Sequence, residues 1–249
     1  MSDARVTLLA SHLGAKGEAS QGALPGAAAA LHAGRGPSLN PKLWPCEDSL
    51  VLAALPGGEL LACVADAHWG GSAGEAFTER LPDALAASPA APATRLYRAL
   101  LELEREYHAE RDPGDRSEST VLAALVQDGA LAWLSVGDSL LVHLPREGSP
   151  RLLNERNSAF LGNQPLAELP PGLGWSAGKL SLEPGDLVLL ASDGLEPDVS
   201  GLSLPEVVPF LRGPGALAAR LEALVERASD PLQGGGRDNL ALIAIEAGA

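Results

Sequence analysis

A chain of 249 residues is long enough for one large domain or two small ones. Hydrophobic residues make up 46% of it and aromatic residues only 4%, so its core must be built mainly from Leu, Val and Ala. The net charge of −14 argues against a nucleic-acid backbone as partner. The same charge fits a site that collects divalent cations, although many cytosolic proteins are equally acidic.

The N-terminal part of the sequence shows little regular pattern. Residues 11–42 are rich in Gly, Ala, Ser and Pro, a composition typical of loops. We therefore predict that residues 1–42 form a loop or a partly ordered extension, and that the folded domain spans residues 43–249.

Regular elements begin after Trp44. Apolar runs bounded by turns predict strands, and apolar residues at helical spacing predict helices. The predicted strands are 49–54, 60–65, 120–126, 131–136, 140–144, 178–182, 186–191 and 240–246. The predicted helices are 74–87, 94–110, 204–211 and 215–228. Hairpins dominate and a regular β-α-β alternation is absent, so the order favours antiparallel sheets flanked by helices over a doubly wound parallel fold.

Four aspartates share one local context at the tip of a predicted hydrophobic strand: Asp48, Asp66, Asp193 and Asp238. Rigid strands can aim such carboxylates at a common point. Mg²⁺ and Mn²⁺ take oxygen ligands, and a metal would remove the mutual repulsion of clustered carboxylates. For any one of these residues alone, an ordinary turn or a helix cap is the competing interpretation.

Six short motifs follow one another in a fixed order, each beside a predicted strand. They are Cys46-Glu47-Asp48-Ser49, Val64-Ala65-Asp66-Ala67-His68-Trp69-Gly70-Gly71, Ser119-Thr120-Val121, Val136-Gly137-Asp138-Ser139, Ala191-Ser192-Asp193-Gly194-Leu195 and Gly236-Arg237-Asp238-Asn239. This series resembles the motif series of the protein phosphatase 2C family (the PPM phosphatases), from about Trp44 to the C-terminus. One motif such as Gly-Asp-Ser is weak, whereas six in this order are specific.

The resemblance implies an α+β fold, a four-layer α-β-β-α sandwich of two antiparallel sheets flanked by helices. It also implies two Mn²⁺ or Mg²⁺ ions at one edge of the sheets, bridged by Asp66, and a third, weaker ion at Asp138. The implied ligands are Glu47, Asp48, Asp66, the carbonyl of Ala67, Asp138, Asp193 and Asp238. Asn239 would not bind the metal itself but would help to orient Asp238.

The activity implied by the resemblance is that of a metal-dependent protein serine/threonine phosphatase. A metal-bridged hydroxide would attack phosphorus, so no protein nucleophile is needed. His68, two residues after Asp66, is a candidate general acid, with a supporting or surface histidine as the alternative. The expected partners are phosphorylated proteins, the products of a serine/threonine kinase. Neither nucleic acid nor a membrane is expected, and we expect a monomer.

The first motif departs from the family pattern at the position that usually grips the substrate phosphate. The family places an Arg four residues before the Glu, and this chain has Leu43 there. Lys42 or Arg35 is the candidate replacement, although a Lys cannot reproduce a bidentate grip. Trp69 stands where the family commonly has Gly. These departures favour an alternative, a phosphatase-like regulatory or binding module with weak or no catalysis.

The two cysteines, Cys46 and Cys63, have neither C-x-x-C nor zinc spacing. A reduced, cytoplasmic chain is the simplest expectation. The apolar run near the N-terminus is too short for a signal peptide, and we expect no transmembrane segment.

Overall fold

The computed structural model describes residues 4–38, 41–88 and 90–248. Its strands are β1 (Arg5–Leu8), β2 (Ala19–Leu24), β3 (Ala27–His32), β4 (Asp48–Ala54), β5 (Leu60–His68), β6 (Glu118–Ser119), β7 (Val121–Gln127), β8 (Ala130–Val136), β9 (Leu140–Leu144), β10 (Arg151–Leu152), β11 (Ser176–Ser181), β12 (Leu187–Ala191) and β13 (Leu240–Glu246). Its α-helices are α1 (Ser72–Ala86), α2 (Pro92–Glu110), α3 (Pro197–Ser200), α4 (Leu204–Leu211) and α5 (Leu217–Ala228).

The strands form two sheets in which neighbouring strands are antiparallel. The first sheet has the order β1-β4-β5-β7-β8-β11, and the short β6 pairs with β5 beside this path. The second sheet has the order β10-β9-β12-β13-β3-β2. The prediction of antiparallel sheets is confirmed.

Both faces of each sheet are covered. Along β4, Leu50 and Leu52 face the second sheet and join a core with Leu190 and Ile243. The intervening Val51 faces the other way, because side chains alternate along a strand. The strands at the centre of each sheet are therefore apolar on both faces, which explains their nearly continuous hydrophobic runs.

Helices supply the outer two layers. Helices α1 and α2 cover the first sheet with a core that includes Phe77 and Leu100. Helices α4 and α5 cover the second sheet with a core that includes Leu211, Leu221 and Leu224. The predicted four-layer α-β-β-α sandwich is confirmed.

The prediction that residues 1–42 form a loop or a partly ordered extension outside a domain of residues 43–249 does not hold for much of that segment. Strands β2 and β3 lie there, and β3 is an internal strand between β13 and β2. Upstream of them, β1 joins the edge of the first sheet. All six residues of Ala27–His32 are buried, but its four consecutive alanines have low strand propensity and gave no visible pattern. Residues 1–3 and 39–40 of the predicted extension lie outside the described residues.

The strand that carries Asp66 is longer than predicted. We predicted a strand over 60–65 with Asp66 at its tip, but β5 continues to His68. Its last two residues, Ala67 and His68, pair with Ser119 and Glu118 of β6. Asp66 is therefore held inside a paired strand.

None of the helices in the described part of the chain is both long enough and apolar enough to cross a lipid bilayer.

Candidate metal centre

The acidic residues converge at one edge of the sandwich, where the strand ends of the first sheet lie beside the strand ends of the second. Asp48 opens β4 and lies opposite Asp66 of β5 in the antiparallel register. On the second sheet, Asp193 follows the end of β12 and Asp238 precedes β13, its antiparallel neighbour. Because antiparallel neighbours end and begin at the same edge, each sheet brings two aspartates to this point.

Asn239 ties the two sheets together at this edge. Its side-chain carbonyl accepts a hydrogen bond from the Glu47 amide at 2.9 Å, and its side-chain amide donates to the Pro45 carbonyl at 3.0 Å. Its backbone amide donates to Asp238 Oδ1 at 2.8 Å. A side chain at Gly194 would place Cβ 1.9 Å from the Asn239 carbonyl oxygen, so only glycine lets the turn after Asp193 approach β13 this closely.

Hydroxyl groups from two other motifs fix the backbone around Asp66. The Asp66 amide donates to Thr120 Oγ1 at 3.2 Å, and the Asp66 carbonyl accepts from the Thr120 amide at 2.9 Å. The Ser119 hydroxyl donates to the same carbonyl at 3.2 Å, and Ser139 Oγ lies 3.0 Å from Thr120 Oγ1. The Ser-Thr and Gly-Asp-Ser motifs thus position Asp66, a role that we did not predict for them.

The two carboxylate oxygens of Glu47 have different surroundings. Its Oε1 accepts from the amides of Leu43, Trp44 and Gly70, at 2.9, 3.4 and 2.8 Å. Its Oε2 is buried and has no hydrogen-bond partner. Glu47 therefore holds two loops together with one oxygen and presents the other to the centre.

Lys42 reaches into the same cluster. Its Nζ lies 2.9 Å from Asp238 Oδ1, 3.9 Å from Glu47 Oε2 and 4.0 Å from Asp66 Oδ1. Burial lowers the pKa of this ammonium, but Asp66, Asp48 and Asp238 more than offset that effect, so the pKa of Lys42 is raised. The carboxylates thus stabilise the protonated, positively charged form of Lys42.

Burial and mutual repulsion raise the pKa values of three of the carboxyl groups. Burial raises the pKa of Asp48 to about 7, against the opposing effects of Lys42 and a hydrogen bond from Ser192. Burial and the charges of Asp66 and Asp238 raise the pKa of Asp193 to about 9. Burial and Asp48 raise that of Asp66 well above its usual value.

The donor atoms at this edge suit a hard divalent cation. Glu47 Oε2, Asp48 Oδ2 and Asp66 Oδ1 are all buried without a hydrogen-bond partner, although buried oxygens are normally satisfied. As they stand, no three Asp, Glu, His or Cys side chains in the described residues are placed to enclose a metal. The cavity beside Lys42 and Asp238 has a volume of only about 10 Å³. The oxygens fit the metal, whereas the space among them contains the ammonium of Lys42.

The remaining predicted residues border this cluster. Burial and Lys42 lower the pKa of His68, whose ring packs against Phe160 at a tilt of 37°, with 4.7 Å between centroids. Asp138 contributes to the raised pKa of Asp193, and its carbonyl accepts a hydrogen bond from Arg156. Trp69 is 52% exposed and adopts a left-handed φ of 62°, a conformation that normally belongs to glycine.

A comparison with protein-family models identifies the family of this chain. The family described as protein phosphatase 2C matches residues 35–224, which is most of the chain. The chain therefore belongs to the protein phosphatase 2C family, as its motifs indicated. The match ends before Asp238 and Asn239, so the place of the last motif in the centre rests on the structure.

Similar solved structures are bacterial phosphatases. They include the PPM Ser-Thr phosphatase MsPP from Mycobacterium smegmatis in complex with cacodylate, with 23% identity and a TM-score of 0.67 over 89% of this chain and 98% of that one. The Mycobacterium tuberculosis serine/threonine phosphatase PstP/Ppp has 21% identity and a TM-score of 0.65, over 88% of this chain and 97% of that one. The S. agalactiae serine/threonine phosphatase has 18% identity to this chain and a TM-score of 0.69, over 92% of this chain and 98% of that one. These identities show a shared fold. No curated protein matches the chain.

Proposed function

We propose that this protein is a metal-dependent protein serine/threonine phosphatase that uses Mn²⁺ or Mg²⁺. One observation carries the proposal: five carboxylates converge at one edge of the two sheets, and three of their buried oxygens have no hydrogen-bond partner. Such oxygens are costly to bury unless a ligand satisfies them. Membership of the protein phosphatase 2C family supports the same activity.

The residues that would hold the ions are Glu47, Asp48, Asp66, Asp193 and Asp238, with the Ala67 carbonyl and, for a third ion, Asp138. When bound, divalent ions lower the pKa of a coordinated water and neutralise charge on phosphoryl oxygens. The chain itself positions this ligand set, through the hydroxyls behind Asp66 and the Asn239 bridge behind Asp238 and Glu47.

His68 is our candidate for protonating the leaving oxygen. Its pKa is lowered by burial and by the Lys42 charge, so without substrate the imidazole is neutral at neutral pH. A bound phosphate brings negative charge, which opposes the effect of Lys42 and favours the protonated ring. Its contact with the ring of Phe160 limits the orientations of the imidazole.

The proposed substrates are phosphoserine and phosphothreonine in proteins, placed there by a serine/threonine kinase, and the proposed form is a cytoplasmic monomer. The similar structures described as serine/threonine phosphatases support this substrate class. The second candidate is a phosphatase-like regulatory module. Leu43 at the expected arginine position favours it, because the centre then lacks the usual bidentate grip on phosphate.

Activity on p-nitrophenyl phosphate and on a phosphothreonine peptide tests the proposal directly. We expect hydrolysis with Mn²⁺ or Mg²⁺ and none in EDTA, because the ligand set consists only of oxygens that need a hard cation. Equal activity in EDTA would refute the metal-dependent mechanism. A protein that binds Mn²⁺ but hydrolyses neither compound would be the regulatory module instead.

Leu43→Arg is expected to lower the KM for the phosphothreonine peptide. Leu43 is 66% exposed, so a longer polar side chain fits without repacking the core. A charge-assisted hydrogen bond contributes roughly 1.5–3 kcal/mol, equivalent to about tenfold or more in KM, with little change in kcat. Steady-state kinetics measure both constants.

The matched control is Leu173→Arg, which adds the same charge at another exposed leucine. An equal fall in KM in both variants would mean that general charge, not a local grip, draws in the peptide. If Leu43→Arg leaves KM unchanged while Lys42→Ala raises it, Lys42 is the residue that grips phosphate.

A further inference from the structure

Lys42 brings a buried positive charge to the carboxylates that we propose as metal ligands. Only 9% of its side chain is exposed, and its Nζ lies within 4.0 Å of Asp238, Glu47 and Asp66. In residues 4–38, 41–88 and 90–248, no other Lys, Arg or His side chain comes within 4.0 Å of these three carboxylates. The ammonium is thus their direct counter-ion.

The ammonium and a hydrated metal ion require the same space. The cavity next to Lys42 and Asp238, about 10 Å³, holds at most about one water molecule. Mg²⁺ keeps several waters even when carboxylates bind it. This cavity borders only Asp238 among the proposed ligands, but the Lys42 Nζ lies 2.9–4.0 Å from Asp238 Oδ1, Glu47 Oε2 and Asp66 Oδ1, where an ion bound by these oxygens would lie.

The ammonium also satisfies the carboxylates incompletely. Its contact with Asp238 Oδ1 has hydrogen-bond length, but its distances to Glu47 Oε2 and Asp66 Oδ1 are too long for hydrogen bonds. Both of those oxygens lack any hydrogen-bond partner. One ammonium neutralises part of the charge, whereas a divalent ion would coordinate the oxygens directly.

We propose that Lys42 is an internal counter-ion that competes with the divalent metal for this centre, so that metal loading expels its side chain. The inference rests on the proposed function, since it requires these carboxylates to bind metal. The backbone need not move far: Leu43 and Trp44, the next residues, stay bonded to Glu47 Oε1 while the flexible lysine stem turns outward.

Lysine labelling of the unmodified protein tests the exchange. The chain has three lysines, and Lys16 and Lys179 are exposed, so they serve as internal standards. An amine-acetylating reagent, followed by peptide mass spectrometry, should modify Lys42 slowly in metal-free protein. With saturating Mn²⁺, Lys42 should react at least about tenfold faster, while the two standards change little. A Lys42 that stays protected at saturating Mn²⁺ would overturn the proposal.

Lys42→Met tests the competition by calorimetric titration with Mn²⁺. Methionine keeps most of the length of the stem and removes the charge, so we expect Mn²⁺ to bind about tenfold or more tightly, the effect of removing one charge-assisted hydrogen bond. Lys16→Met, which removes an exposed lysine near the same edge, should bind Mn²⁺ as the unmodified protein does. Equal or weaker binding by Lys42→Met would also overturn the proposal.

The two experiments separate this inference from the proposed function. If Mn²⁺ binds to neither the unmodified protein nor Lys42→Met, both the metal centre and the competition are refuted. If Mn²⁺ binds both equally and supports hydrolysis, the phosphatase stands and only the role of Lys42 is wrong. Should Lys42→Met fail to fold, the labelling experiment still decides, because it uses the natural sequence.

Discussion

Asp66→Asn is expected to reduce turnover at least about a hundredfold and, in metal-free protein, to raise the melting temperature. Turnover falls because the substitution removes charge from a ligand that we propose to be shared by two ions. Stability rises because burial and Asp48 raise the pKa of Asp66, so its ionised form opposes folding at neutral pH. Relief of about 1 kcal/mol corresponds to roughly 2–4 °C in a protein of this size.

Asp186→Asn is the matched control, since Asp186 is also buried but lies at another place in the fold. Its carboxylate accepts hydrogen bonds from the amides of Arg146 and Glu183 and contacts His143, and despite burial its pKa is lowered. We expect this variant to melt at a lower temperature and to retain its affinity for Mn²⁺. Calorimetry and thermal melts on both variants give the comparison. Turnover within twofold of the unmodified protein in Asp66→Asn would remove that residue from the centre.

The second large effect is a pH-dependent stabilisation by metal. The pKa of Asp48 is raised to about 7 and that of Asp193 to about 9. An acid whose pKa is higher in the folded state stabilises the fold fully below its unfolded pKa, and this contribution is lost as pH rises through the folded value. Metal-free protein should therefore lose stability between about pH 5 and pH 9. Ionised carboxylates are also what metal binds, so the metal-induced shift should grow over the same range.

Thermal melts at several pH values, with EDTA and with Mg²⁺, measure both trends. At a hundredfold excess over Kd, binding contributes about 2.7 kcal/mol. Asp193→Asn should flatten the upper part of the metal-free curve. At the acidic end His32 acts in the opposite direction: burial and Arg35 lower its pKa to about 4, so its contribution to stability falls as pH drops from about 6.5 towards 4. A metal-free melting temperature that rises from pH 6 to pH 9 would contradict the predicted repulsion.

Most of the fold was predictable because the central strands and long helices carry strong patterns. The two long helices and the hairpin from 120 to 136 lie within a few residues of their predicted limits. Strands β2 and β3 were missed for a physical reason. Alanines buried on both faces of β3 give neither alternation nor strand propensity, and their position in the sheet is set by pairing with β13, more than 200 residues later.

The centre was predictable in its acids but not in its cation. The motif order brought Glu47, Asp48, Asp66, Asp193 and Asp238 to one place, as the structure shows, although their roles as ligands remain predictions. From the sequence, Lys42 is only a candidate substitute for the phosphate-binding arginine. Its contact with Asp238 joins residues from opposite ends of the sequence. No local pattern reports such a contact, because it depends on how the loop before β4 crosses the edge of the second sheet.

The central position of β13 determines when the centre can exist during synthesis. This strand is synthesised after all the other strands described, and it lies between β12 and β3. Asn239, the residue before it, accepts a hydrogen bond from the amide of Glu47, which lies 192 residues earlier in the chain. Until residue 246 has left the ribosome, the second sheet lacks an internal strand. Asp48 and Asp66 then have no Asp238 beside them. Contacts this distant in sequence form late in folding. A nascent chain therefore lacks the complete carboxylate cluster until β13 has emerged and paired with its neighbours in the second sheet.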